Sequence, residues 1–292
     1  MKQHNGNRRL EGVMKAATGS VRPSAVFFLL LTLIGGCSKD YTMAPSPDGE
    51  KVTITINATQ ELAPEVLRVM YRSAKCQRVT HDAHGQPQML DGNNSYEGRF
   101  ERSGETGMYH TALFVNGGGA CEWRLSNVVF SVVYRTPERF GEGVVSGSGA
   151  EVIVVFDHNS PQLRVSAPMA VTGSELSIVK DFYPWIKESY IRGYIKRVGL
   201  SGGDGGDYTY YARQARNVYF EPILHSGFVV SSAAPKKHIV GDFIKFKYPD
   251  GTVESDGRSE PNFEKMQKIR AESGNKRVKS PAASPPVLRN LP

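Results

Sequence analysis

Long apolar runs are nearly absent from this chain of 292 residues; the longest, Ala25 to Ile34, holds ten mostly apolar residues. That is about half of what a membrane-crossing helix requires, so no helical span is predicted, but it suffices for the core of a cleaved export signal. Cysteine is scarce too. Of the three cysteines, neither Cys76 nor Cys121 has a second one nearby, which argues against a zinc site built on paired ligands. Tandem repeats and EF-hand spacing are missing, which removes the solenoid and standard calcium-loop classes. A lipase of the common α/β type needs Gly-x-Ser-x-Gly between a strand and a helix, so that its nucleophile projects from a strained turn. Ser146-Gly147-Ser148-Gly149 lacks that spacing, and no catalytic residue and no cofactor is assigned.

Arg22, the apolar run and Leu33-Ile34-Gly35-Gly36-Cys37 stand in the order of a bacterial lipoprotein signal, and the last five residues resemble its lipobox. The resemblance implies cleavage between Gly36 and Cys37, acyl chains such as palmitate on Cys37, and attachment to a membrane through that lipid. Ser38 in place of Asp resembles the sorting rule for the outer membrane, which places the mature chain on the periplasmic face of the cell envelope. An ordinary cleaved signal, or a buried strand with an incidental cysteine, is the alternative. Met14-Lys15 would open a signal of normal length, so the start is Met1 or Met14.

Residues 1–36 carry five of the 36 lysines and arginines and one of the 29 acids, so the basic balance of the full chain belongs partly to the signal. From Pro235 onward twelve bases face seven acids, and a nucleic-acid partner has little other support. In an oxidising envelope Cys76 and Cys121 are predicted to pair. Closing that loop of about 45 residues would stabilise the fold by roughly 4 kcal/mol in the chain-entropy model; two buried free thiols are the alternative.

Residues 37–50, with Pro45 and Pro47 and little apolar content, read as a flexible tether. Beyond them Val52, Ile54 and Ile56 alternate with Thr and Asn, and Leu67, Val69 and Tyr71 alternate with Arg68 and Arg72, each the pattern of a half-buried strand. Met108 to Val115 and Cys121 to Arg135, the latter bent near Ser126-Asn127, pair across the turn Asn116-Gly117-Gly118-Gly119. Val152 to Phe156 reads as a strand buried on both faces. Residues 51–160 are therefore predicted to form a disulfide-linked, antiparallel β-sandwich-like domain.

Residues 161–272 read as a mixed segment packed on or following that domain. Ile186, Tyr190, Tyr194 and Val198 recur every four residues and predict a helix from Pro184, weakened by Gly193. Ile244, Phe246 and Tyr248 predict a strand entering the turn Pro249-Asp250-Gly251, and Phe263 to Ala271 a final helix. Residues 273–292, rich in Pro, Ser and bases, read as a disordered tail that touches anionic lipid or stays solvated. The fold class is β-rich α+β, with one or two helices in the second half.

Chemistry-bearing clusters are thin. His81-Asp82-Ala83-His84 lies in a polar loop, and no metal is assigned to it. Asp157-His158 ends a strand, where catalysis would need a nucleophile held nearby. Gly202 to Asp207 reads as a mobile connector or a recognition loop, since its two acids are too few for a calcium loop. Tyr208, Tyr210 and Tyr211 follow it, and either form a partner-binding surface of large contact area or pack inside the domain.

Val69-Met70-Tyr71-Arg72-Ser73-Ala74-Lys75-Cys76, the run from Gly117 to Val128 with Cys121-Glu122-Trp123, Phe140-Gly141-Glu142, and Val154-Val155-Phe156-Asp157-His158-Asn159 together resemble a family of proteobacterial envelope lipoproteins. Members of that family are found beside type VI secretion genes and are regarded as immunity proteins to phospholipase effectors. The likeness covers residues 69–159 and both cysteines, and contains no catalytic motif. It implies a membrane-anchored, non-enzymatic protein that occludes a secreted lipase before it reaches the cell's own phospholipids. A structural or assembly lipoprotein of the envelope or secretion apparatus, and a periplasmic hydrolase using His81, His84 or His158, are the competing readings.

Overall fold

The computed structural model describes residues 40–104, 107–159, 168–191, 193–237 and 239–279, with backbone alone for 275–279. The signal segment, Cys37, both candidate start methionines and residues 280–292 lie outside the described residues. The first half of the chain supplies β1 (Lys51–Asn57), β2 (Leu62–Pro64), β3 (Leu67–His81), β4 (Pro87–Gly98), β5 (Glu101–Ser103), β6 (Met108–Phe114), β7 (Asn116–Gly118), β8 (Trp123–Tyr134), β9 (Val144–Ser146) and β10 (Ala150–Val155). The second supplies β11 (Met169–Ala170), β12 (Glu175–Ser189), β13 (Ile195–Gly202), β14 (Asp207–Tyr211), β15 (Asn217–Leu224), β16 (Val230–Ala233), β17 (Lys245–Lys247), β18 (Val253–Glu254) and the helix α1 (Phe263–Lys279). The fold is thus β-rich with one helix among the described residues.

These strands form two mixed sheets. One runs β18-β17-β16-β12-β15-β1-β6-β5, with β13 on β12 and β9 on β13; the other runs β11-β14-β10-β8-β3-β4, with β2 and β7 on β8. Every pairing among the first ten strands is antiparallel, as their alternation predicts. Every pairing that joins the two halves is parallel: β1 with β15, β10 with β14, and β9 with β13. The boundary drawn near residue 160 is therefore not a boundary between sheets. Parallel neighbours cannot be joined by a hairpin and must come from distant chain, and here the second half inserts its strands beside those of the first.

One core receives side chains from both sheets. Val52, Ile54, Ile56, Ile178, Val218 and Phe220 come from the first, and Val69, Trp123, Val128, Phe130, Val152 and Val154 from the second. Phe130 meets Phe220 edge-on at 6.0 Å and Phe220 meets Phe182 at 6.4 Å. Such pairs add about 0.5–1.5 kcal/mol each beyond the area they bury.

The helix predicted from Pro184 does not form; that stretch is β12 and β13, paired antiparallel from Phe182↔Gly202 to Ser189↔Ile195. A four-residue spacing is also a multiple of the two-residue strand period, and β12 hides its alternation because both of its faces are covered. Phe182 points into the shared core, whereas Tyr183 and Trp185 join Val230, Phe246, Tyr248, Met266 and Ile269 in a second core under α1. Pro184 falls in the gap between the β15 ladder, which ends at Phe182, and the β16 ladder, which starts at Trp185.

Helix α1 starts at the predicted residue, with the Asn262 side chain accepting the Lys265 N–H at 3.1 Å as an N-cap. It continues to Lys279, so residues 273–279 of the expected tail are helical. A polar clasp holds it to the sheet. Asp181 accepts from His225 at 2.6 Å, from Gln267 at 3.0 Å and from Arg270 at 3.4 Å. Burial would raise the Asp181 pKa, but these partners outweigh it and hold the carboxyl below its usual range.

Cys76 and Cys121 form the predicted disulfide, closing 45 residues. Cys76 lies in a bulge of β3, where the register with β4 shifts between Ser73 and Arg78, and this turns it toward the loop ahead of β8. Gly92 faces it, because a Cβ there would stand 2.0 Å from the Cys76 carbonyl oxygen. Replacing both cysteines by Ser is expected to lower unfolding free energy by roughly 2–4 kcal/mol in urea titration, with reductant reproducing the effect in the natural sequence; a loss below about 0.5 kcal/mol would show that the bond adds nothing to stability.

Candidate functional site

The disulfide end of the molecule is built up by the residues just after Lys39. The Tyr41 carbonyl accepts from the Trp123 indole N–H at 3.0 Å and from Asn94 at 3.2 Å, and the Ala44 N–H donates to the Gly117 carbonyl at 2.9 Å. Asp40 folds the strap with a side-chain oxygen that accepts from both the Thr42 amide and hydroxyl, which lowers its pKa. Met43 packs against the shared core. The predicted flexible tether is thus, over residues 40–44, a strap docked on the β7–β8 turn. Trp123 is 1% exposed and its N–H needs an acceptor, which the strap provides. Glycine makes the approach feasible: a Cβ on Gly118 or Gly119 would lie 2.2 Å from the Ala44 oxygen or 2.1 Å from the Thr42 oxygen. Both have positive φ and turn β7 back onto β8, whereas the hairpin expected between Met108–Val115 and Cys121–Arg135 does not form: β6 pairs with β1 and β5, and β8 belongs to the other sheet.

The tyrosine cluster is divided by the fold. Tyr208 and Tyr210 are core residues, 2% and 6% exposed, and do not present a binding surface; Tyr211 is half-buried on the opposite face, against Val129, Ile153 and Val155. Burial pushes the Tyr210 hydroxyl up to about 12 and Tyr208 higher still. The alternation in β14 sends 208 and 210 inward, and no surface is left to them. Exposed aromatics of this half lie instead on the β12–β13 turn, where Tyr194 is 62% exposed, and between β16 and β17, where Phe243 is exposed. The helix expectation concealed Tyr194.

Gly202 to Asp207 is a shaped connection that carries the chain from one sheet to the other, with a short 3-10 turn over Gly203–Gly206. Asp204, Gly205 and Gly206 have positive φ, and a Cβ on Gly202 would strike the Phe182 ring at 2.6 Å. Close packing explains the glycines better than mobility does. At its end Asp207 is pushed up to about 6 by burial and by the nearby Glu151 and Glu260 carboxylates.

The histidine motifs serve local structure. Asp82 accepts from the His84 and Gln86 amides at 2.8 Å, closing the β3–β4 turn. Asp157 accepts from both the amide and the side chain of Asn159 at 2.9 Å, and His158 faces the Arg213 guanidinium at 2.5 Å. One Gly-x-Ser-x-Gly pentapeptide was missed in the sequence: Gly199-Leu200-Ser201-Gly202-Gly203. Its serine is 5% exposed at the end of β13, and the chain continues into the 3-10 turn rather than a helix. Tyr183 is the strand partner of Ser201, and its ring lies tilted against His225 at 5.0 Å, so it stands between that serine's strand and that histidine. The pentapeptide here ends a strand without forming a nucleophile elbow. Among the described residues no cluster of three or more His, Cys, Asp or Glu could hold a metal, and no helix is long and apolar enough to cross a membrane. No protein-family model, no curated protein and no solved structure matches the chain.

Two expectations follow. Gly119→Ala should loosen the strap, seen as lost hydrogen-exchange protection at the Ala44 amide with the sheets unaffected; unchanged protection would mean that Gly119 is not what admits it. Asp207 holds a proton in the folded state between its usual 3.8 and about 6, so its contribution to stability falls as pH rises through that window. Asp207→Asn should therefore raise Tm at pH 7 and bring no gain near pH 4, by calorimetry across pH; an equal gain at both values would deny the cause.

Proposed function

We propose that the chain is an envelope lipoprotein, cleaved between Gly36 and Cys37 and held by acyl chains on Cys37 at the periplasmic face of the outer membrane, that acts by binding another protein. Its partner, on this reading, is a type VI secreted phospholipase effector that it neutralises. The observation that carries the reading is the strap. Only three residues lie between Cys37 and the docked Tyr41, and the four steps of chain from one to the other span about 14 Å at most. A lipid on Cys37 would thus be coupled to a disulfide-tied end of the domain with little slack, which suits a module displayed at a fixed attitude to the bilayer. Multiple acyl chains make such anchoring stable, and a rigid, sandwich-like body loses little entropy when it docks.

The test is growth of cells that direct a lipase-like toxin, encoded beside this gene, into their own periplasm. The full chain is expected to restore growth and its soluble form to bind the toxin directly. Cys37→Ser is expected to keep the binding and to lose membrane position and most of the protection. No binding and no rescue by the full chain would reject that partner, and membrane retention of Cys37→Ser would reject the lipid anchor.

A further inference from the structure

The Ser189 end of β12 carries an apolar, lysine-rimmed tip. Thr53 of β1 and Glu175 of β12 both register with Asn217 of β15, so the strands start together at the Glu50 end. From there β12 runs fifteen residues, about 45 Å of strand, to the tip. Two loops form it: the β12–β13 turn beyond Ser189, and the connection between β16 and β17. They are tied by the Ala234 N–H donating to the Glu188 carbonyl at 2.9 Å and by Lys236 over the Tyr190 ring at 5.7 Å. Ile191, Tyr194, Ile239 and Phe243 are between 47% and 65% exposed, and Val240 is 98% exposed. Beside them Tyr190, Pro235 and Phe243 line a cleft of about 410 Å³.

Single exposed hydrophobics need no explanation, but five on two adjoining loops make a patch of the kind that marks interaction sites. Nothing in the local backbone demands them, since the turn closed by Asp242 N–H on the Ile239 carbonyl needs only the positive φ of Gly241. The charge around them is predominantly positive. Lys236, Lys237, Lys245 and Lys247 are exposed against a single exposed acid of the same loop, Asp242, and Glu188 is already engaged by the Tyr190 and Tyr194 hydroxyls and by Lys196. A second copy of this tip would set lysines against lysines. A bilayer holding the strap end would lie a full strand length away.

We propose that this tip is the docking surface for a protein partner whose binding site is an apolar cleft rimmed by carboxylates. The proposal rests on the reading of the chain as an anchored binding protein and names the face it uses. Lysines would steer the encounter, and Val240, Ile239 and Phe243 would fill the cleft.

The experiment uses the full chain in its native cell, with a photo-crosslinking phenylalanine derivative placed at position 240, or at position 79 near the disulfide end as a control. The expected result is one protein adduct from position 240, absent from position 79 and lost in Lys236→Glu/Lys237→Glu. Identified by mass spectrometry and purified, that protein should bind the natural chain, weaken about tenfold with the double charge reversal, and weaken with added salt. Val240→Asp should also abolish binding while circular dichroism and Tm stay unchanged. An adduct only to lipid, an adduct to a second copy, or an adduct indifferent to the charge reversal would overturn the proposal, as would no adduct. If the lipase is not the partner but position 240 captures another protein with these properties, the tip stands; if rescue from the lipase persists in Val240→Asp with both charge reversals, the tip falls while the immunity reading stands.

Discussion

Three parallel ladders between the halves of the chain hold this structure together. β1 sits beside β15, β10 beside β14 and β9 beside β13, so neither sheet is complete until chain from beyond residue 168 has arrived. Antiparallel hairpins close locally, but parallel neighbours require a crossover, and their entropy of closure must be met before any contact compensates it. The shared core is correspondingly non-local: Phe130 touches Phe220, and Ile54 of β1 lies between Thr111 of β6 and Val218 of β15. A fold of this kind is expected to form slowly and to unfold as a unit.

Against that topology the disulfide has a specific place. It does not link the halves, which the ladders already do; it links a bulged stretch of β3 to the turn before β8, where regular pairing is interrupted on both strands. The register of β3 on β8 also shifts at Met70/Tyr71, skipping Ser126. With two irregularities so close, the backbone needs other partners: the Ser73 hydroxyl accepts from the Cys76 amide and donates to the Cys121 carbonyl. The strap over Trp123 completes this end. Disulfide, Ser73 and strap together make the molecule's most irregular sheet end one of its best-connected.

Local pattern made the first half legible. Alternation marked β1 and β3, a short continuous apolar run marked β10, and the bend expected near Ser126-Asn127 is the bulge itself. Elsewhere the pattern was ambiguous for physical reasons. Positions 186, 190, 194 and 198 satisfy both a helical and a strand period, and only the two-sided burial of Phe182 and Tyr183 on β12 decides between them. Tyr208 and Tyr210 were correctly noticed, but surface and core uses of tyrosine look alike until a partner sheet covers them. The strap was hidden because its contacts are backbone to side chain, Tyr41 carbonyl to Trp123 indole, and leave no apolar period in Asp40 to Gly49. The tip was hidden because Ile239-Val240 is too short to read as an element, and its exposure is a property of the loop's position.

The two ends differ in how their polar groups are used, and this difference gives the molecule a direction. At the strap end the polar groups pair with one another: the Tyr41 carbonyl accepts from Trp123 and Asn94, the Ala44 N–H donates to the Gly117 carbonyl, and Lys75 pairs with Glu122. At the tip the Glu188 carboxylate is engaged by the tyrosine hydroxyls, four lysines are exposed, and aliphatic side chains stand in water without a covering element. β12 joins the sheet at its Glu175 end to the tip at its Ser189 end. If the proposed lipid anchor holds the strap end, it would restrict the body's orientational freedom before an encounter and leave the exposed apolar surface of the tip as the main driving force for binding.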